Sequence, residues 1–82
     1  MKARYMVVSY FPNENGKWNE LTEFKNNLKL KHRHTAKVIL DFKKKSVVKN
    51  DLNPSASYTD MLEFYKKVIG PALLPYLPSK SP

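Results

Sequence analysis

Apolar and polar residues alternate and break along this chain in a pattern that assigns most of its local structure. Residues 3–11, Ala-Arg-Tyr-Met-Val-Val-Ser-Tyr-Phe, are β-branched and aromatic and stop at Pro12. Apolar side chains fall on both faces of that run, as in a strand interior to a sheet. Asn13-Glu14-Asn15-Gly16 then forms a turn. Its Asn-Gly pair is a strong hairpin signal that allows a returning strand over residues 17–25. A second period competes there. At about 100° per residue, Trp18, Leu21, Phe24 and Leu28 share one helical face, whereas a strand sends Leu21 away from Trp18 and Phe24. The spacing predicts a helix that frays at Asn26-Asn27.

From Ala36 to Phe42 the alternation is strict, with Val38, Leu40 and Phe42 on one face and Lys37, Ile39 and Asp41 on the other. Lys43-Lys44-Lys45 reverses the chain into a short partner strand over residues 46–50, and residues 51–56 make a loop around Asn53-Pro54-Ser55. Residues 57–69 read as a helix. Ser57 and Asp60 have capping-box spacing, while Tyr58, Met61, Leu62, Tyr65, Val68 and Ile69 form the apolar face. Lys66 and Lys67 suit the negative end of the helix dipole, and Gly70-Pro71 ends it. The proline-punctuated tail from Pro71 to Pro78 fits an extended segment or an edge strand.

The predicted fold class is α+β, with β-α-β-β-α order and two helices on one face of an antiparallel sheet. A short last strand would complete the ferredoxin-like, split βαβ arrangement. The RNA-recognition motif shares this order, but its Gly-aromatic signature is missing from residues 46–50, so no residue roles follow from it. At 82 residues the chain has room for one domain, placed at 1–78 with a disordered tail at 79–82. There is no cysteine, which removes disulfides, thiolate metal sites and cysteine nucleophiles. The apolar run Met6-Val7-Val8 is cut by Ser9, too short for a secretory or spanning segment, and the expected location is cytoplasmic. Frequent Lys and Asn with few Gly and Ala match A+T-rich coding, as in a low-GC bacterium or its phages.

Charge changes the picture most. The net charge is +8, and both ends of the chain are locally neutral. Residues 25–49 carry Lys25, Lys29, Lys31, Arg33, Lys37, Lys43, Lys44, Lys45 and Lys49 against Asp41 alone. A patch of that kind concentrates polyanions, and nucleic acid, DNA or RNA, is the commonest cytoplasmic one. The expected phosphate contacts are Lys29, Lys31, Arg33, Lys37, Lys43, Lys44 and Lys45. Lysine meets phosphate as a point charge, so binding is expected to follow the backbone with little base preference. Tyr5, Tyr10 and Phe11 are candidate stacking groups if one sheet face is open. Lysines in a hairpin turn also serve as solvated surface that deters edge pairing.

The alternative partner is an acidic protein surface, which would make the chain an interaction module or a small inhibitor. His32 and His34 fall short of a metal site, since no cysteine or third histidine joins them. Neither a cofactor nor a catalytic group is expected, and two glycines cannot build a phosphate loop or a nucleophile elbow. Pro75-Tyr76-Leu77-Pro78-Ser79-Lys80 has PxxP spacing but fits a self-packing tail better.

Overall fold

A computed structural model describes residues 3–32 and 34–70 of the chain. They form β1 (Tyr5–Pro12), β2 (Trp18–Lys25), β3 (Ala36–Asp41), β4 (Ser46–Asn50) and α1 (Tyr58–Ile69). The sheet is antiparallel with strand order β2-β1-β3-β4. The expected last strand and disordered tail lie outside the described residues.

Residues 17–25 are not a helix. They form β2, paired with β1 over the full eight residues from Tyr5↔Lys25 to Pro12↔Trp18. The described residues therefore make a four-stranded sheet with one helix, and the two-helix β-α-β-β-α arrangement is overturned. The turn decided the outcome. Asn13 Oδ1 accepts from the backbone N–H groups of Asn15 and Lys17, both at 3.0 Å, and Gly16 takes the left-handed backbone at φ 72°. As a strand, Trp18 and Phe24 share the helix-facing side while Leu21 points away, and Trp18 and Leu21 stay exposed. An edge strand tolerates that split.

β1 is central, and its two-sided apolar run is buried on both faces. On one face Met6, Val8, Tyr10, Val38 and Leu40 pack with Met61, Leu62 and Tyr65 of α1, flanked by Phe24, Phe42, Val47, Tyr58 and Ile69. Phe24 and Phe42 stack with ring centroids 6.4 Å apart. Ser57 caps α1: its Oγ accepts from Asp60 N at 3.1 Å, and Asp60 Oδ2 accepts from Ser57 N at 3.4 Å. A register shift between Ile39 and Leu40 leaves Val48 unpaired and exposed on β4.

β2 and β3 run in the same direction, so β2 ends at the Tyr5 end of β1 and β3 begins near its Pro12 end. On the face away from α1, Val7, Ser9, Lys37 and Ile39 are all buried. His32, in the β2–β3 crossover, meets the Phe11 ring edge-on at 5.0 Å. No helix among the described residues is long and apolar enough to cross a membrane.

Candidate nucleic-acid interface

The strand register sorts the cations. Tyr5, Lys25 and Asp41 are neighbours across three strands. Arg4, Lys25 and the β3–β4 turn at residues 42–45 therefore line one end of the sheet. Arg4 is fixed within it: its N–H donates to Asn26 Oδ1 at 3.2 Å, and its carbonyl accepts from Phe42 N at 2.8 Å. Lys25 Nζ donates to the Lys29 carbonyl at 2.5 Å, which brings Lys29 to the same end.

The turn is built around Asp41. Its Oδ1 accepts from Lys43 N at 2.9 Å and from Lys44 N at 3.1 Å, and Arg4 Nη2 donates to its Oδ2 at 3.0 Å. The Arg4 hydrogen bond is the main cause holding the Asp41 carboxyl below its ordinary pKa; burial opposes it, and the Lys44 and Lys43 N–H groups assist. This carboxylate is neutralised by Arg4 and spent on the backbone, so it does not cancel the lysines around it.

Lys25 is half-buried, and Lys29, Lys43, Lys44 and Lys45 are exposed. Among the described residues the ion pairs are Arg4–Asp41 and Lys49–Asp51, and neither uses one of these five lysines. Lys45 has φ 51°, a left-handed backbone that favours glycine or asparagine. A lysine there is held at some conformational cost.

The other sequence-stretch cations separate from this end. Lys31 is exposed on the crossover next to His32, which packs on Phe11 near the opposite end. Lys37 pairs with Ser9 on the face away from α1 and is 1% exposed. Its Nζ donates to the carbonyl of Thr35 at 3.3 Å and to Thr35 Oγ1 at 2.5 Å. Burial, then the nearby Lys49 charge, lowers its pKa; Asp51 and Glu23 oppose that. An ammonium so enclosed has no route to a phosphate. Lys49 pairs with Asp51 at 3.5 Å, and Arg33 lies outside the described residues.

Of the seven expected contacts, Lys29, Lys43, Lys44 and Lys45 come together. Lys25 joins them and was missing from that set, although strand pairing with Tyr5 would have placed it there. The aromatic candidates are occupied. Tyr10 is core and its hydroxyl meets that of Tyr65; Phe11 holds His32; Arg4 lies over the Tyr5 ring, 5.0 Å from its centroid. Among the described residues no three metal-ligating side chains gather. No protein-family model, no curated protein and no solved structure matches the chain, so the functional reading rests on these residues.

Proposed function

We propose that this protein is a non-enzymatic, cytoplasmic nucleic-acid-binding module that grips phosphates with the lysines at the Tyr5 end of its sheet. The observation that supports it is the gathering of Lys25, Lys29, Lys43, Lys44 and Lys45 at one end, none of them in an ion pair among the described residues. Arg4, the one arginine among the described residues, is tied to Asp41 and offers no free fork to read guanine. Binding is accordingly electrostatic and tolerant of sequence.

Titration of labelled single- and double-stranded oligonucleotides at low and physiological salt tests this. Affinity should fall steeply with salt. Lys43→Gln/Lys44→Gln/Lys45→Gln should lower the log–log salt slope by about three units, near 0.9 per lost contact. Failure to bind any oligonucleotide at low salt, by a protein whose circular dichroism is native, rejects the proposal.

One observation favours a second reading, a protein-interaction module or small inhibitor that docks on an acidic partner. Trp18 is 60% exposed on the edge strand β2, and large aromatics anchor protein interfaces. That reading predicts a complex of fixed stoichiometry, lost on Trp18→Ala, in place of coating that lengthens with the oligonucleotide.

A further inference from the structure

The five lysines of the basic end fall into two groups. Lys25 and Lys29 belong to the β2 side, and Lys43, Lys44 and Lys45 to the turn between β3 and β4. β1 and β3 lie between them in the sheet. With about 4.8 Å between neighbouring strands, the backbone at Lys25 lies about 12 Å from the middle of the β3–β4 turn. The major groove of B-form DNA is about 12 Å wide, while its minor groove is about 6 Å.

The chemistry between the groups is equally restrictive. Asn26 Oδ1 is engaged by Arg4 N, Asn27 Oδ1 by Lys29 N, and both Asp41 oxygens by Arg4 and the turn. The end thus offers ammonium donors, while its Asn26, Asn27 and Asp41 oxygens are already engaged. Phosphate oxygens are acceptors and suit such a surface. An RNA duplex is recognised by its shape and by 2′-hydroxyl and phosphate contacts across a wide, shallow minor groove, and its major groove is deep and narrow. Single strands are held largely by stacking on aromatic rings. Of the rings at this end, Tyr5, Phe24 and Phe42 are each in contact with another side chain, and the exposed rings among the described residues sit elsewhere, Trp18 at the Pro12 end of the sheet and Phe64 on α1.

Resting on the phosphate-binding reading above, we propose that the basic end takes B-form duplex DNA, with its two lysine groups seated on the phosphate rims that flank one major groove. The β3–β4 turn grips one rim and the Lys25–Lys29 side the other.

Competition among a mixed-sequence DNA duplex, the RNA duplex of the same sequence and the DNA single strand, at matched phosphate concentration, tests the proposal on the full chain. The DNA duplex should win by about tenfold over each competitor, a gap read at constant salt because affinity depends on it so steeply. Lys25→Gln/Lys29→Gln should lower the duplex salt slope by about two units and the triple turn variant by about three, with the combined variant losing both. Thermal melts of each variant confirm the fold. Equal or better binding of the single strand or the RNA duplex overturns the proposal and leaves phosphate binding standing. A slope that responds to only one lysine group overturns the two-rim seating. Failure to bind any of the three ligands at low salt removes the underlying reading as well.

Discussion

Arg4 Nη2 donates to Asp41 Oδ2 at 3.0 Å across the paired ends of β1 and β3, while Asp41 Oδ1 accepts the N–H groups of Lys43 and Lys44. One carboxylate thereby anchors the lysine turn to the central strand. Asp41→Ala leaves the two turn N–H groups and the guanidinium unmet and should destabilise the fold by about 1–3 kcal/mol. Denaturant unfolding measures this. A loss confined to a few tenths would show that the turn holds its shape without Asp41.

That pair also sets the acid limb of stability. The Asp41 pKa is depressed in the folded state, chiefly by the Arg4 hydrogen bond. Its contribution is therefore complete above the unfolded value of about 3.9 and is lost as pH falls through the lower folded value. The parent should lose stability more steeply than Asp41→Asn below about pH 4. Parallel acid titrations followed by circular dichroism would expose identical slopes if the pair were inert.

Tyr10 and Tyr65 make the equivalent contact inside the core, hydroxyl to hydroxyl. Burial first, then the hydrogen bond with Tyr65, pushes the Tyr10 hydroxyl far above its ordinary range, and burial also raises Tyr65. The unfolded chain gives up these protons near pH 10 and the folded chain does not, so stability should fall as pH rises past about 10. Tyr10→Phe leaves a buried hydroxyl without its partner and should cost about 1–3 kcal/mol, whereas Tyr10→Phe/Tyr65→Phe should recover most of that loss and flatten the alkaline limb. A double variant as unstable as the sum of the singles would contradict the account.

Lys45 carries a left-handed backbone without being glycine. Lys45→Gly relieves that conformation and should change stability by no more than about 1 kcal/mol, in the favourable direction. It should also lower the salt slope of DNA binding by about one unit. Stability gained together with affinity lost would mark this lysine as kept for the ligand; unchanged affinity would reduce it to a turn residue.

Lys37 separates charge count from charge placement. Lys37→Met keeps the buried stem and removes an enclosed ammonium, so DNA affinity should stay within about twofold of the parent despite one fewer positive charge, because no phosphate contact is lost. Lys44→Gln makes the same charge change and should weaken binding clearly. Equal losses from both substitutions would mean that overall charge, and not the sheet end, governs binding.

Much of this fold was legible in the chain. A β-branched and aromatic run apolar on both faces identified β1 as an interior strand, alternation identified β3, and Ser57 with Asp60 marked the start of α1. β2 was not, because Trp18, Leu21, Phe24 and Leu28 fit a helical period as well as a strand with its apolar residues divided. The turn decides together with backbone pairing: β1 is buried, and its N–H and C=O groups need a partner strand on each edge. β3 fills one edge, and the Asn13–Gly16 turn delivers β2 to the other. For the site, the concentration of charge in residues 25–49 was plain and its division was not. Alternation puts Lys37 opposite α1, but the burial of that face depends on long-range packing. Lys25 became visible only through its register with Tyr5.

Chemical-shift mapping of the uniformly 15N-labelled protein, titrated with a short DNA duplex at low salt, tests the central claim most directly. The backbone amides of Arg4, Lys25, Lys29 and residues 42–45 should move together, saturate, and return to their free positions when salt is raised. Shifts centred on residues 13–20 around Trp18, or an unchanged spectrum at saturating duplex, would contradict the assignment of the ligand to this end of the sheet.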